Sequence, residues 1–165
     1  MAEKQLYFLA GYDDATEAKL AGLQQSLYDC GFEGTQTRSI PMHITMGIAP
    51  SETEEEQKRF LKELCAETEA FDVSFNHAGI FSGGRVLFIA PDCSMELLAL
   101  RERFGPSFSW SPHTTMLIDE PDIIKHAVPK LLEGFSSFCG RVTHVHLYEF
   151  FPARHILTLP LKNDA

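Results

Sequence analysis

The chain has 165 residues, 44% of them hydrophobic and 13 of them Phe, enough to bury one core and too apolar for a disordered chain. Its 14 Lys and Arg against 23 Asp and Glu leave a formal charge of −9, which disfavours long duplex nucleic acid gripped along its phosphates. No apolar run reaches the roughly 18–20 residues of a membrane helix, and the start Met-Ala-Glu-Lys-Gln has neither the basic nor the apolar part of a signal peptide. The expectation is a soluble, cytoplasmic monomer that makes no contact with a membrane, folded as a single domain over residues 1–165.

In chain order, residues 6–12 predict a strand, and Asp13-Asp14 cap a helix that runs to about Cys30, with Leu20, Leu23 and Leu27 on one face and Gly31 as its stop. Residues 42–49 predict a strand, Pro50-Ser51 a break, and residues 52–69 a second helix whose early Glu run suits the helix dipole. Two strands follow, 71–82 and 85–90, joined by the turn residues Gly83-Gly84. A helix over 94–104, a strand over 113–118, a helix over 122–132 and strands near 141–151 and 155–161 complete the chain. Cys30, Cys65, Cys93 and Cys139 are widely spaced with no C-x-x-C pair, which fits reduced thiols.

The order repeats. Ser82-Gly83-Gly84-Arg85 is echoed 69 positions later by Phe151-Pro152-Ala153-Arg154, with Phe81 matching Phe150 and His77 matching His146. His43 and Thr45 recur 70 positions later as His113 and Thr115. Each half reads strand, helix, histidine strand, helix, strand, so an internal duplication over approximately 5–83 and 85–161 is expected.

The chemistry rests on the two histidine strands. Side chains alternate along a strand, so His43, Thr45 and Gly47 are expected on one face, with Met42, Ile44, Met46 and Ile48 on the other. In the second copy His113 and Thr115 share a face, and Met116 and Ile118 are expected opposite. Chance supplies roughly 0.4 H-x-T triplets in this composition, so one copy means little; two, each in its own half, carry the inference. An imidazole titrating near 6.5 serves as general acid or base at neutral pH, and a Thr hydroxyl donates to a non-bridging phosphate oxygen. Two such pairs around one cleft suit phosphate-ester chemistry without a metal or other cofactor.

His43-Ile44-Thr45-Met46 and His113-Thr114-Thr115-Met116 match the two H-x-[ST]-x motifs of the 2H phosphoesterase superfamily, and within it the chain resembles the 2′-5′ RNA ligase-like proteins. The stretch Ala78-Gly79-Ile80-Phe81 and the following Arg85-Val86-Leu87-Phe88-Ile89 are similar to that family's glycine-and-phenylalanine hairpin. The resemblance implies an α+β fold of two pseudo-symmetric lobes, each an antiparallel sheet with helices outside, and H-x-T strands facing a central cleft. It also implies metal-independent action on a 2′,3′-cyclic phosphate, a 2′-5′ linkage or a related cyclic nucleotide phosphate, with His43 as proton donor and His113 as acceptor, roles that reverse with reaction direction. The partner is then a small nucleotide or an RNA terminus. The alternatives are a binding module that kept the pocket without turnover, and ATP-independent RNA ligation by the reverse reaction.

Other residues are weighed beside these. Phe81, His146 and Tyr148 are the substrate-binding candidates, Phe81 and Tyr148 placed to stack on a base or to belong to the core, Phe150 more clearly to the core, and His146 on one strand face with His144 and Tyr148. His144 and His146 form a two-imidazole pair with no evident third metal ligand, and Arg38, Arg85 and Arg154 are either phosphate contacts or solvated strand-end charges. Residues 51–72 carry eight acids against three bases, a net −5 of the −9. The acidity therefore sits largely on one segment, which leaves a nucleotide or a terminus, rather than a long RNA, as the better fit.

Overall fold

The computed structural model describes residues 3–163. The elements run β1 (Gln5–Tyr12), α1 (Asp14–Asp29), β2 (His43–Pro50), α2 (Glu54–Glu67), β3 (Phe71–Ile80), β4 (Val86–Pro91), α3 (Met95–Glu102), β5 (Thr114–Ile118), α4 (Pro121–Gly134), β6 (Phe138–Phe150) and β7 (Arg154–Pro160). A short 3-10 turn, Ser51–Thr53, separates β2 from α2. Helix starts follow the local chemistry. The Asp13 carboxylate accepts from Thr16 N at 2.9 Å and the Ser94 hydroxyl from Leu97 N at 3.1 Å, while Pro121 opens α4. Gly31, at φ 89°, ends α1, and Gly83 and Gly84, at φ 94° and 72°, turn β3 into β4, a backbone region that side chains with a Cβ resist. Among the described residues no helix is long and apolar enough to cross a membrane.

The fold is α+β. Seven antiparallel-paired strands form one sheet in the order β2-β1-β6-β3-β4-β5, with β7 on β6. The first half contributes β1-α1-β2-α2-β3 and the second β4-α3-β5-α4-β6, the expected order, with β7 added at the end. The third strand of each half leaves its own lobe: β6 pairs with β1, and β3 pairs with β4. The two lobes are continuous because β6 is 13 residues long; Phe138–Val142 pair with β3, while Val142 and the residues beyond it pair with β1. Leu20, Leu27, Ile44, Met46, Leu64, Phe75, Met116 and Leu131 are among the fully buried side chains of the core.

Both histidine strands carry a bulge at the equivalent position. Phe8 pairs with Gly47 and Leu9 with Thr45, so Met46 is the extra residue of β2; Leu87 pairs with Leu117 and Phe88 with Thr115, so Met116 is the extra residue of β5. The bulges reverse the alternation beyond them and correct the sequence expectation. Gly47 faces the core, where an added Cβ would lie 2.8 Å from Phe104 Cβ, and Ile48 is 57% exposed. In β5, Leu117 is fully buried, and Ile118 joins the cleft instead of opposing it. The bulge carbonyls are served from the other half: the Gln24 amide of α1 donates to Met116 O at 2.9 Å, and the Arg101 guanidinium of α3 donates to Met46 O.

Candidate active site

In strand order β2 and β5 lie at opposite ends of the sheet, yet side chains join them in space. The Thr114 hydroxyl donates to His43 O at 3.0 Å, and Tyr12 Oη lies 2.7 Å from Thr114 Oγ1. Ahead of each motif the chain anchors its own imidazole. His43 Nδ1 is 2.7 Å from Pro41 O and His113 Nδ1 is 2.8 Å from Ser111 O, each carbonyl two residues upstream. A carbonyl only accepts, so both Nδ1 atoms carry hydrogen and both Nε2 atoms of the neutral rings keep a lone pair. Burial pushes both imidazoles below the ordinary histidine range; the carbonyl bond opposes this in each, and His43 is lowered further by positive charge on His113.

A cleft of about 300 Å³ lies between the strands. His43 and Thr45 from β2 and Thr114, Thr115 and Ile118 from β5 line it, with Tyr7, Leu9, Phe150 and Phe151 along one side and residues 35–37 and 40–42 beside them. Among the described residues no Lys, Arg, Asp or Glu lines it. His113 stands beside this group rather than within it. Its ring meets Phe81 edge-on, with centroids 4.6 Å apart and planes at 87°, and lies 5.5 Å from Phe88.

The remaining sequence candidates take other places. Phe81 packs on His113 and on Phe88, so its contact is with an imidazole. Tyr148 and Phe150 are each 8% exposed and stack on one another at 5.9 Å, and of the two Phe150, expected in the core, reaches the cleft. His146 is 6% exposed and lies within a side-chain chain. Thr143 Oγ1 to His144 Nδ1 is 2.9 Å, His144 Nε2 to His146 Nε2 is 3.2 Å, His146 Nδ1 to Thr158 Oγ1 is 2.7 Å, and Thr158 Oγ1 to His155 Nε2 is 2.8 Å. One proton between the Nε2 pair satisfies every link with all rings neutral. Burial and the nearby His144, His43 and His155 push His146 down to about 4. Gly11 makes room for the pair: a Cβ there would lie 2.3 Å from His144 Nε2 and 2.8 Å from His146 Nε2.

Among the described residues no group of three or more His, Cys, Asp or Glu converges as a metal site. The three arginines are engaged elsewhere. Arg38 sits over the Tyr28 ring at 4.0 Å, Arg85 pairs with Glu120 at 2.6 Å, and Arg154 reaches Glu54 at 2.6 Å and Glu149 at 3.1 Å.

Sequence reasoning missed Tyr7, Ile40, Phe151 and the 35–37 segment as cleft walls. β1 is apolar on both faces, so no alternation marks Tyr7 and Leu9 as cleft-facing. The segment between α1 and β2 has no periodicity; it is held by Thr35 N donating to Ile118 O at 2.7 Å and by Ile118 N donating to Gln36 Oε1 at 2.9 Å.

Comparison with known proteins places this geometry. Escherichia coli LigT complexed with 3′-AMP superposes with a TM-score of 0.64 at 15% identity, over 98% of this chain and 99% of that one. The Thermus thermophilus protein TT0787 gives a TM-score of 0.62 at 13% identity, over 98% and 100% of the two chains. At these identities the likeness establishes the fold. No curated protein matches the chain in sequence. The sequence profile of the 2′-5′ RNA ligase superfamily matches residues 12–150, most of the chain, including both H-x-T motifs. The chain therefore belongs to the 2′-5′ RNA ligase superfamily.

Proposed function

We propose that the protein is a metal-independent phosphodiesterase that opens a small cyclic or 2′-5′-linked nucleotide phosphate, or an RNA terminus of that chemistry, with His43 and His113 as general acid and base. The observation that carries this reading is the matched anchoring of the two imidazoles. Each is tied through Nδ1 to the carbonyl two residues before it, which leaves both Nε2 atoms for proton transfer. One Nε2 takes a proton from the attacking water as its oxygen bonds to phosphorus. The other imidazole, protonated, gives its proton to the departing ribose oxygen as the P–O bond breaks. The two rings end with their protonation exchanged, and solvent resets them. Thr45 and Thr115 supply hydroxyls to the non-bridging oxygens.

The electrostatics support the same reading. Burial disfavours the charged form of both rings when the cleft is empty. A bound phosphate raises an imidazole's pKa and recruits the one proton the reaction needs. With no Lys or Arg among the described lining residues, one imidazolium and two hydroxyls match the single charge of a phosphodiester better than the double charge of a monoester. That balance also favours release of the opened product. The nucleotides held by LigT in its crystal structures, 3′-AMP and ATP, are in keeping with a small nucleotide as partner.

The test is turnover of 2′,3′-cyclic nucleotides and 2′-5′-linked dinucleotides in EDTA by the wild type, His43→Ala and His113→Ala. Each substitution is expected to lower kcat by about 10²–10⁴. Equal activity in all three sinks the two-histidine mechanism. Tight binding without wild-type turnover establishes a sequestering module instead, and net joining of RNA ends establishes the ligase direction.

A further inference from the structure

Because β2 and β5 do not pair with each other, the carbonyls on the free edge of β2 need partners from elsewhere. Side chains of the second half provide them. The Thr114 hydroxyl takes His43 O at 3.0 Å, the Trp110 indole takes Thr45 O at 3.2 Å, and the Arg101 guanidinium takes Met46 O. Of these three, Thr114 is the one that grips a histidine of the pair, and it does so from between His113 and Thr115. It is 1% exposed, and Tyr12 is 2% exposed. The direction of the bonds is fixed by elimination. The carbonyl can only accept, so the Thr114 proton goes to His43 O, and Tyr12 must donate its own proton to Thr114 Oγ1 at 2.7 Å. Tyr12 thereby locks the hydroxyl rotor. The equivalent residue of the first motif, Ile44, is fully buried and has no hydroxyl, so the tie exists in one direction only.

We propose that Thr114, oriented by Tyr12, is a positioning residue that sets the separation of the two imidazoles by pinning the His43 carbonyl to the middle of the second motif. This inference rests on the phosphodiesterase reading, in which both rings must face one phosphate. Misplacement of reacting groups by about 1 Å costs on the order of 10²-fold in rate. Replacing the pin with a methyl of the same shape removes the donor without emptying the site, while Ser keeps the donor.

The experiment compares wild type, Thr114→Val, Thr114→Ser and Tyr12→Phe on a 2′,3′-cyclic nucleotide. Thr114→Val is expected to lower kcat by about 10–100-fold with KM changed less than about threefold, and to reshape the pH–rate profile. Thr114→Ser is expected to restore most of kcat, and Tyr12→Phe to fall between. Leu131→Ala, a fully buried α4 substitution outside both motifs, controls for general loss of stability and should retain kcat at a temperature where it is folded. Wild-type kcat in Thr114→Val, or no recovery in Thr114→Ser, overturns the proposal. Imidazole NMR with inorganic phosphate as probe separates it from the parent reading. Absence of wild-type turnover would overturn the phosphodiesterase alone. A phosphate response of both imidazoles in Thr114→Val as full as in the wild type would overturn the pin.

Discussion

His146 ties the protein's acid stability to a buried imidazole. Its pKa falls from 6.5 in the unfolded chain to about 4 in the folded one, because the ring is buried beside His144, His43 and His155. Above pH 6.5 both states hold it neutral and its contribution is constant. Between 6.5 and 4 the unfolded chain gains a proton that the folded protein refuses, so stability falls as pH falls; below 4 both states are protonated and the loss is complete. At about 1.36 kcal/mol per pH unit the displacement from 6.5 to about 4 corresponds to about 3.4 kcal/mol. Water entry and proton sharing with His144 reduce this, so about 1.5–3 kcal/mol is expected. His146→Gln keeps an amide for Thr158 and removes the titration. Urea midpoints of both proteins, followed from pH 7 to pH 4, isolate the difference from every other titrating group. The wild type should lose about 1.5–3 kcal/mol more than the variant over that interval. Parallel stability curves, or a wild type that gains on the variant in acid, would refute the burial argument.

Two further outcomes follow from particular contacts. Phe81→Ala removes the ring that meets His113 edge-on at 4.6 Å and lets water reach the imidazole. The limb of the pH–rate profile that belongs to His113 should move upward, because burial is what lowers that group; an unmoved profile would deny Phe81 this role. Gly11→Ala drives a methyl to 2.3 Å from His144 Nε2 and should cost about 1–3 kcal/mol in urea unfolding while breaking the His144–His146 link, seen as altered imidazole NMR signals; wild-type stability and signals would mean the rings move aside freely.

Local physics made much of the protein legible from its sequence. Caps, turn glycines and apolar spacing placed the elements, because Asp13, Gly31 and Gly83-Gly84 act on their immediate neighbours. The paired H-x-T strands and their duplication were visible for the same reason. Alternation was right up to Met46 and Met116 and wrong beyond them, since a bulge is a mismatch between two strands and leaves no mark in either one alone.

Everything that depends on which segments meet came from the folded molecule. The exchange of β3 and β6 between lobes, the lining of the cleft by Tyr7, Ile40 and Phe151, and the His144–His146–Thr158–His155 chain join residues far apart in sequence or on strand faces whose surroundings the sequence does not encode. Thr114 gives the sharpest case. By sequence it is the variable residue of an H-x-T motif; in space its hydroxyl is the bond that ties one histidine strand to the other. Which side chains the two strands carry is written in the chain; that β2 and β5, at opposite ends of the strand order, come into contact is a property of the folded sheet alone.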